Sequence, residues 1–133
     1  MSYTRQMLDT TPSSSEFDAA QLAECITACV DCAQACTACA DACLGEEMVA
    51  EMRKCIRLDL DCADVCAATG RVLSRQTAYD ATLTEALLRA CAAACMTCGE
   101  ECESHAGMHE HCRVCAEACR RCGEACNALL SKA

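Results

Sequence analysis

Between residues 25 and 43 a cysteine recurs at Cys25, Cys29, Cys32, Cys36, Cys39 and Cys43, in steps of four, three, four, three and four. Steps of that kind put all of them on one face of an α-helix, the stripe that a helix buries against other helices. At the α-helical rise the row extends over roughly 27 Å. The residues between the thiols, mostly Ala, Thr, Asp and Gln, favour or tolerate helix and carry little bulk. A seam of this type ordinarily holds Leu or Ile; here it holds sulfur.

The period returns three more times. Cys55, Cys62 and Cys66 share a second segment, Cys91, Cys95, Cys98 and Cys102 a third, and Cys112, Cys115, Cys119, Cys122 and Cys126 a fourth. Gly45, the stretch from Gln76 to Asp80, and Gly107 interrupt the pattern. The expected helices cover about 16–44, 47–74, 82–104 and 109–131, after a tail over 1–15 with room for a short helical turn around Arg5 to Leu8. Ser15 ahead of Asp18, and Thr82 ahead of Glu85, have the spacing of helix N-caps, and Gly45 suits a helix C-terminus. Gly70 inside the second helix costs roughly 1 kcal/mol relative to Ala. Four amphipathic helices with short connections specify an all-α fold, an antiparallel up-down-up-down four-helix bundle with a cysteine-lined core.

The register also defines two ends. One step beyond each cysteine row lies a leucine, at Leu22, Leu73, Leu88 and Leu129, and an antiparallel bundle gathers all four as an apolar plug. The other end collects Met48, Met52, His105 and Met108, with His109 and His111 beside them. A mouth lined by thioether and imidazole is therefore expected opposite a leucine stopper.

The 133 residues suit one domain, and with 18 Cys, no Trp and only Tyr3, Phe17 and Tyr79 as aromatics the core cannot be built from large side chains. A net charge of −9 argues against a nucleic-acid surface and against anionic membranes. No apolar run is expected to span a bilayer. The N-terminal MSYTRQMLDTTPSSS has neither an apolar export region nor a twin arginine. Neighbouring thiols on one helix lie about 5–6 Å apart at Cβ, beyond the roughly 3.5–4.5 Å of a disulfide. The reading is a cytoplasmic protein with reduced thiols rather than a secreted disulfide scaffold.

Buried cysteine as a small hydrophobe explains one or two positions but not rows of them in register. CxxC recurs, as in Cys29/Cys32, Cys36/Cys39, Cys95/Cys98, Cys112/Cys115 and Cys119/Cys122. A thioredoxin-like site has a single such pair in an α/β setting, and no strand is evident here. Metal binding remains. Zinc takes four ligands, so the thiolates around a few dications would leave a large uncompensated negative charge in a helical core. Iron–sulfur clusters need discrete groups of four cysteines rather than a continuous ladder. Cu(I) is soft and monovalent, and if each ion takes two sulfurs and each sulfur bridges two ions, the core is neutral at one Cu(I) per cysteine. No nucleophile–base pair or open metal position is evident, which argues against an enzyme.

With these rows, the HAGMHEHC segment at 105–112 and the five-cysteine last helix, the sequence resembles the four-helix-bundle copper storage proteins, especially their cytosolic branch. The resemblance implies storage of many Cu(I) ions inside the bundle and assembly as a homotetramer. A copper chaperone or a small-molecule thiol is the expected donor. The second helix is the sparse one, with Met48, Met52 and Asp59 at positions where other helices carry sulfur. Met48 and Met52 fit either core filler or ligands for copper in transit. His111, next to Cys112, is the first histidine candidate, with His105 and His109 behind it. Asp59 could ligate copper, hydrogen-bond a thiol or turn outward, and the alternatives stay open. A thiol-based redox or metal-responsive regulator, or a zinc buffer, are the competing functions.

Overall fold

The computed structural model describes residues 3–131, so the first two residues of the expected tail lie outside it. α1 (Thr4–Thr10) precedes α2 (Ala19–Leu44), a single 3-10 turn (Val49–Met52), α3 (Arg53–Leu73), α4 (Ala81–His105) and α5 (Glu110–Leu130). No strand occurs among the described residues.

Cross-helix sulfur pairs give the direction of each helix. From α2 to α5, Cys25 meets Cys126 at 3.8 Å, Cys32 meets Cys119 at 3.8 Å and Cys39 meets Cys112 at 3.9 Å. From α3 to α4, Cys66 meets Cys91 at 3.7 Å, Cys62 meets Cys95 at 3.9 Å and Cys55 meets Cys102 at 3.7 Å. Numbers rise on one helix as they fall on its partner, so these pairs are antiparallel. Glycines set how closely neighbours approach. A Cβ on Gly99 would lie 3.3 Å from the Cβ of Cys119, and one on Gly123 would lie 3.5 Å from that of Cys95. Gly70 stands in the same relation to Cys29 at 3.4 Å. Its propensity cost is thus set against close packing of α2 on α3.

Several local details differ from the sequence expectation. α2 is capped by Asp18, whose carboxylate accepts from the Gln21 N–H at 3.0 Å, and Ser15 instead accepts from the Phe17 N–H at 3.1 Å. Asp80, not Thr82, caps α4 and accepts from the Leu83 N–H at 2.8 Å. In both cases the carboxylate reaches a free N–H of the first turn. Gly45 closes α2 at φ −84°, so left-handed freedom is not what it contributes. The second bundle helix begins at Arg53 rather than 47, because Met48 offers no capping side chain and the chain enters through the tighter 3-10 turn.

By length and composition α2 is long and apolar enough to cross a membrane, contrary to the expectation that no segment is. That apolarity comes from Ala and Cys, and its cysteine face is buried in the bundle. Leu22, Leu73, Leu88 and Leu129 are all buried in the one core cluster, which the thiols otherwise dominate. At their end α1 borders Ile26 and Ser74. Phe17 packs edge-on against Tyr79, with centroids 5.9 Å apart.

Candidate metal centre

All 18 cysteines are free and buried. Because each row follows the stripe of its helix, four rows converge on the bundle axis as one column of sulfur. Neighbouring Sγ atoms lie between 3.6 Å, as for Cys115 and Cys36, and 4.0 Å, as for Cys36 and Cys98. The column divides into overlapping quartets whose ligand atoms all lie within 4.8 Å of one another. Cys29, Cys91, Cys122 and Cys126 form one, and Cys32, Cys66, Cys95 and Cys122 the next. Cys32, Cys36, Cys62 and Cys119 follow, then Cys36, Cys98, Cys115 and Cys119. Consecutive quartets share at least one sulfur, so the column has no natural break along this length.

Burial pushes the Cys43 thiol up from its ordinary range and the Cys112 thiol to about 11. Each feels the nearby Cys55 in the same direction. Charging these groups without a metal would place negative charge in a sulfur-lined interior. The metal-free Cys43 and Cys112 thiols are therefore held in the protonated, neutral form, which packs as a small hydrophobe, whereas thiol contacts led by Cys102 pull the Cys55 thiol down, to about 3.

Asp59 is fully buried and turns into the column. Its Oδ1 accepts from the thiols of Cys98 at 3.0 Å, Cys102 at 3.3 Å and Cys115 at 3.4 Å. Burial and the neighbouring Cys115 raise its pKa to about 8. An outward orientation, one of the sequence alternatives, is thereby removed.

Beyond Asp59 the column ends among Cys39, Cys43, Cys112 and His111, again with ligand atoms within 4.8 Å of one another. His111 Nδ1 lies 3.4 Å from Cys39 Sγ and 3.6 Å from Cys112 Sγ. His109 stacks on it, with ring centroids 5.5 Å apart. Both rings bond one carboxylate: Glu46 Oε2 is 2.8 Å from His111 Nε2 and 3.1 Å from His109 Nδ1. Glu46 is a residue the sequence analysis missed. His105 differs from the other two, since its Nε2 pairs with Glu101 on its own helix at 3.0 Å. Met52 is buried in the core, while Met48 is 38% and Met108 68% exposed at the rim.

A family model described as copper storage protein (Csp) matches residues 18–131. The chain belongs to the copper storage protein family. Among solved copper storage proteins, it is similar to Ccsp from Streptomyces lividans loaded with 10 copper equivalents, at 59% identity, TM-score 0.96, 98% of this chain and 99% of that one. A cytosolic copper storage protein of the same organism with five coppers matches at 65% identity and TM-score 0.83 over 84% of this chain and 93% of the other. The Cu(I)-bound copper storage protein BsCsp3, its Csp3 being that of Bacillus subtilis, matches at 40% identity and TM-score 0.71, over 80% and 94%. No curated protein matches. The chain therefore has the copper storage fold along nearly its whole length, with a thiol column running through it.

Proposed function

We propose that this protein is a cytoplasmic, non-enzymatic store for Cu(I), serving copper homeostasis and detoxification. The observation that carries this reading is the column of buried free thiols at 3.6–4.0 Å spacing. Adjacent sulfurs at that distance suit bridging by a soft monovalent ion with few ligands. Each incoming Cu(I) replaces one thiol proton, so a filled column stays near neutrality at about one ion per cysteine. Membership of the copper storage family supports the assignment. So does the Streptomyces relative loaded with 10 copper equivalents.

In this reading the four cysteine rows hold the cargo. Asp59 adds an oxygen ligand within it, and His111 binds at its outer end. His109, His105, Met48 and Met52 serve copper in transit. The protein works as a homotetramer and receives copper from a chaperone or a small-molecule thiol carrier. Anaerobic titration with Cu(I) against a competing chelator tests the store. The expected endpoint is about 18 ions per chain, one per thiolate, with a few more or fewer from the other ligands. A sharp endpoint near four or five, with equal zinc capacity, would instead mark a zinc buffer.

A further inference from the structure

We infer that Glu46 is a positioning residue for copper entry: it fixes His111 in the tautomer that points a free nitrogen lone pair at the outer thiols. The inference rests on the copper-storage reading and adds to it a residue outside the thiol, imidazole and thioether set.

The geometry follows from how α2 ends. Its last turn closes at Gly45, and the Glu46 N–H bonds the Cys43 carbonyl at 3.2 Å. This holds Glu46 beside the start of α5, where His109 and His111 emerge. One Glu46 oxygen then lies 2.8 Å from His111 Nε2 and 3.1 Å from His109 Nδ1. An ionised carboxylate only accepts hydrogen bonds. The Glu46 side chain is partly exposed at the rim, where a glutamate is ionised at neutral pH. Both ring nitrogens facing it must therefore carry hydrogen. In a neutral His111 with hydrogen on Nε2, Nδ1 has the lone pair, and Nδ1 is the atom 3.4 Å from Cys39 Sγ and 3.6 Å from Cys112 Sγ. The opposite tautomer would aim N–H at the thiols and could not ligate there. His109 stacks against His111 and shares the same acceptor, which restrains the ring plane as well. Carboxylates placed behind a histidine ligand orient it and raise its basicity in this manner.

Glu46→Gln tests the assignment, because glutamine keeps the size but can donate to Nε2. Glu47→Gln is the control, since Glu47 is an exposed neighbour of equal charge. The tautomer of His111 is read by nitrogen-15 NMR of the metal-free protein. Loading is read by stopped-flow mixing with substoichiometric Cu(I) and a competing chelator. Unchanged melting temperatures establish that both variants fold. The parent and Glu47→Gln should show hydrogen on Nε2. Glu46→Gln should move it to Nδ1, weaken the first Cu(I) bound by about tenfold or more and leave total capacity unchanged. Hydrogen remaining on Nε2 in Glu46→Gln would overturn the proposal. Equal weakening of the first Cu(I) by Glu47→Gln would overturn it too, since the effect would then be general charge attraction. The NMR arm uses no copper, so it is decided even if the parent proves not to store Cu(I).

Discussion

At the scale of single residues, Asp59 is the group whose chemistry differs most from its neighbours. Its pKa in the fold is raised to about 8, first by burial and then by Cys115. An unfolded aspartate titrates near 3.9. The folded chain therefore holds a proton on Asp59 that the unfolded chain has lost between about pH 4 and 8. Its contribution to stability is fully present below about pH 4, falls as pH rises through that window and levels off above about 8. In metal-free, reduced protein the parent should lose stability relative to Asp59→Asn across that range, by at most about 1.4 kcal/mol per pH unit. Thermal melts of both proteins at several pH values check this. Parallel curves would mean that Asp59 is already ionised in the fold. The cysteine rows around it were readable in the sequence because helical register alone determines which positions share a stripe. Glu46 was not, because its partner His111 lies 65 residues away, and the two meet only once α2 and α5 are paired end to end.

At the scale of elements, the caps give a direct comparison between spacing and geometry. Asp18→Ala and Asp80→Ala should each destabilise the metal-free bundle by about 0.5–2 kcal/mol. Thr82→Ala should fall within about 0.5 kcal/mol of the parent, measured by denaturant unfolding. The sequence offered Ser15 and Thr82 because each has an acidic residue three positions on. What decides the cap is the backbone path into the helix, which at α2 is bent by the Ser15–Phe17 turn. In the α3–α4 connection Ala78 sits at φ +53°, a conformation costly for a residue with a Cβ. Ala78→Gly should raise stability by up to about 1 kcal/mol in the same assay, as the relief of strain exceeds the added freedom of the unfolded chain. Helix count and periodicity were legible because four segments repeat one pattern. Helix starts were not, because each depends on a turn whose shape is set by packing.

For the whole molecule, the two ends have different duties. Leu73 and Leu129 are at most 2% exposed, so replacing either with Ala should cost roughly 2–5 kcal/mol. It should not speed copper entry. Replacing His105, His109 and His111 together with Ala should change loading and chelator-driven removal rates while leaving capacity within about two ions of the parent. Replacing Cys36 and Cys119 should lower capacity with little effect at the mouth. Stopped-flow loading beside equilibrium titration separates the two outcomes, and equal rate effects from both ends would mean entry by general opening of the helices. The metal-free chain itself should be helical by circular dichroism, because protonated thiols close the core as small hydrophobes. Copper should then raise its melting temperature by mass action.

The sharing of sulfurs between quartets also bears on how such a chain drifts over generations. Cys32, Cys36, Cys119 and Cys122 each belong to at least two quartets, so an ion beside any of them has a neighbouring group to fall back on. Loss of a single cysteine thins the column without abolishing any uniquely indispensable pocket. Selection then acts on register and on the approximate number of thiols far more than on any one of them. Descendants should gain and lose individual cysteines readily while the four-three stepping persists, the reverse of an enzyme, whose few essential positions stay fixed as the scaffold around them varies.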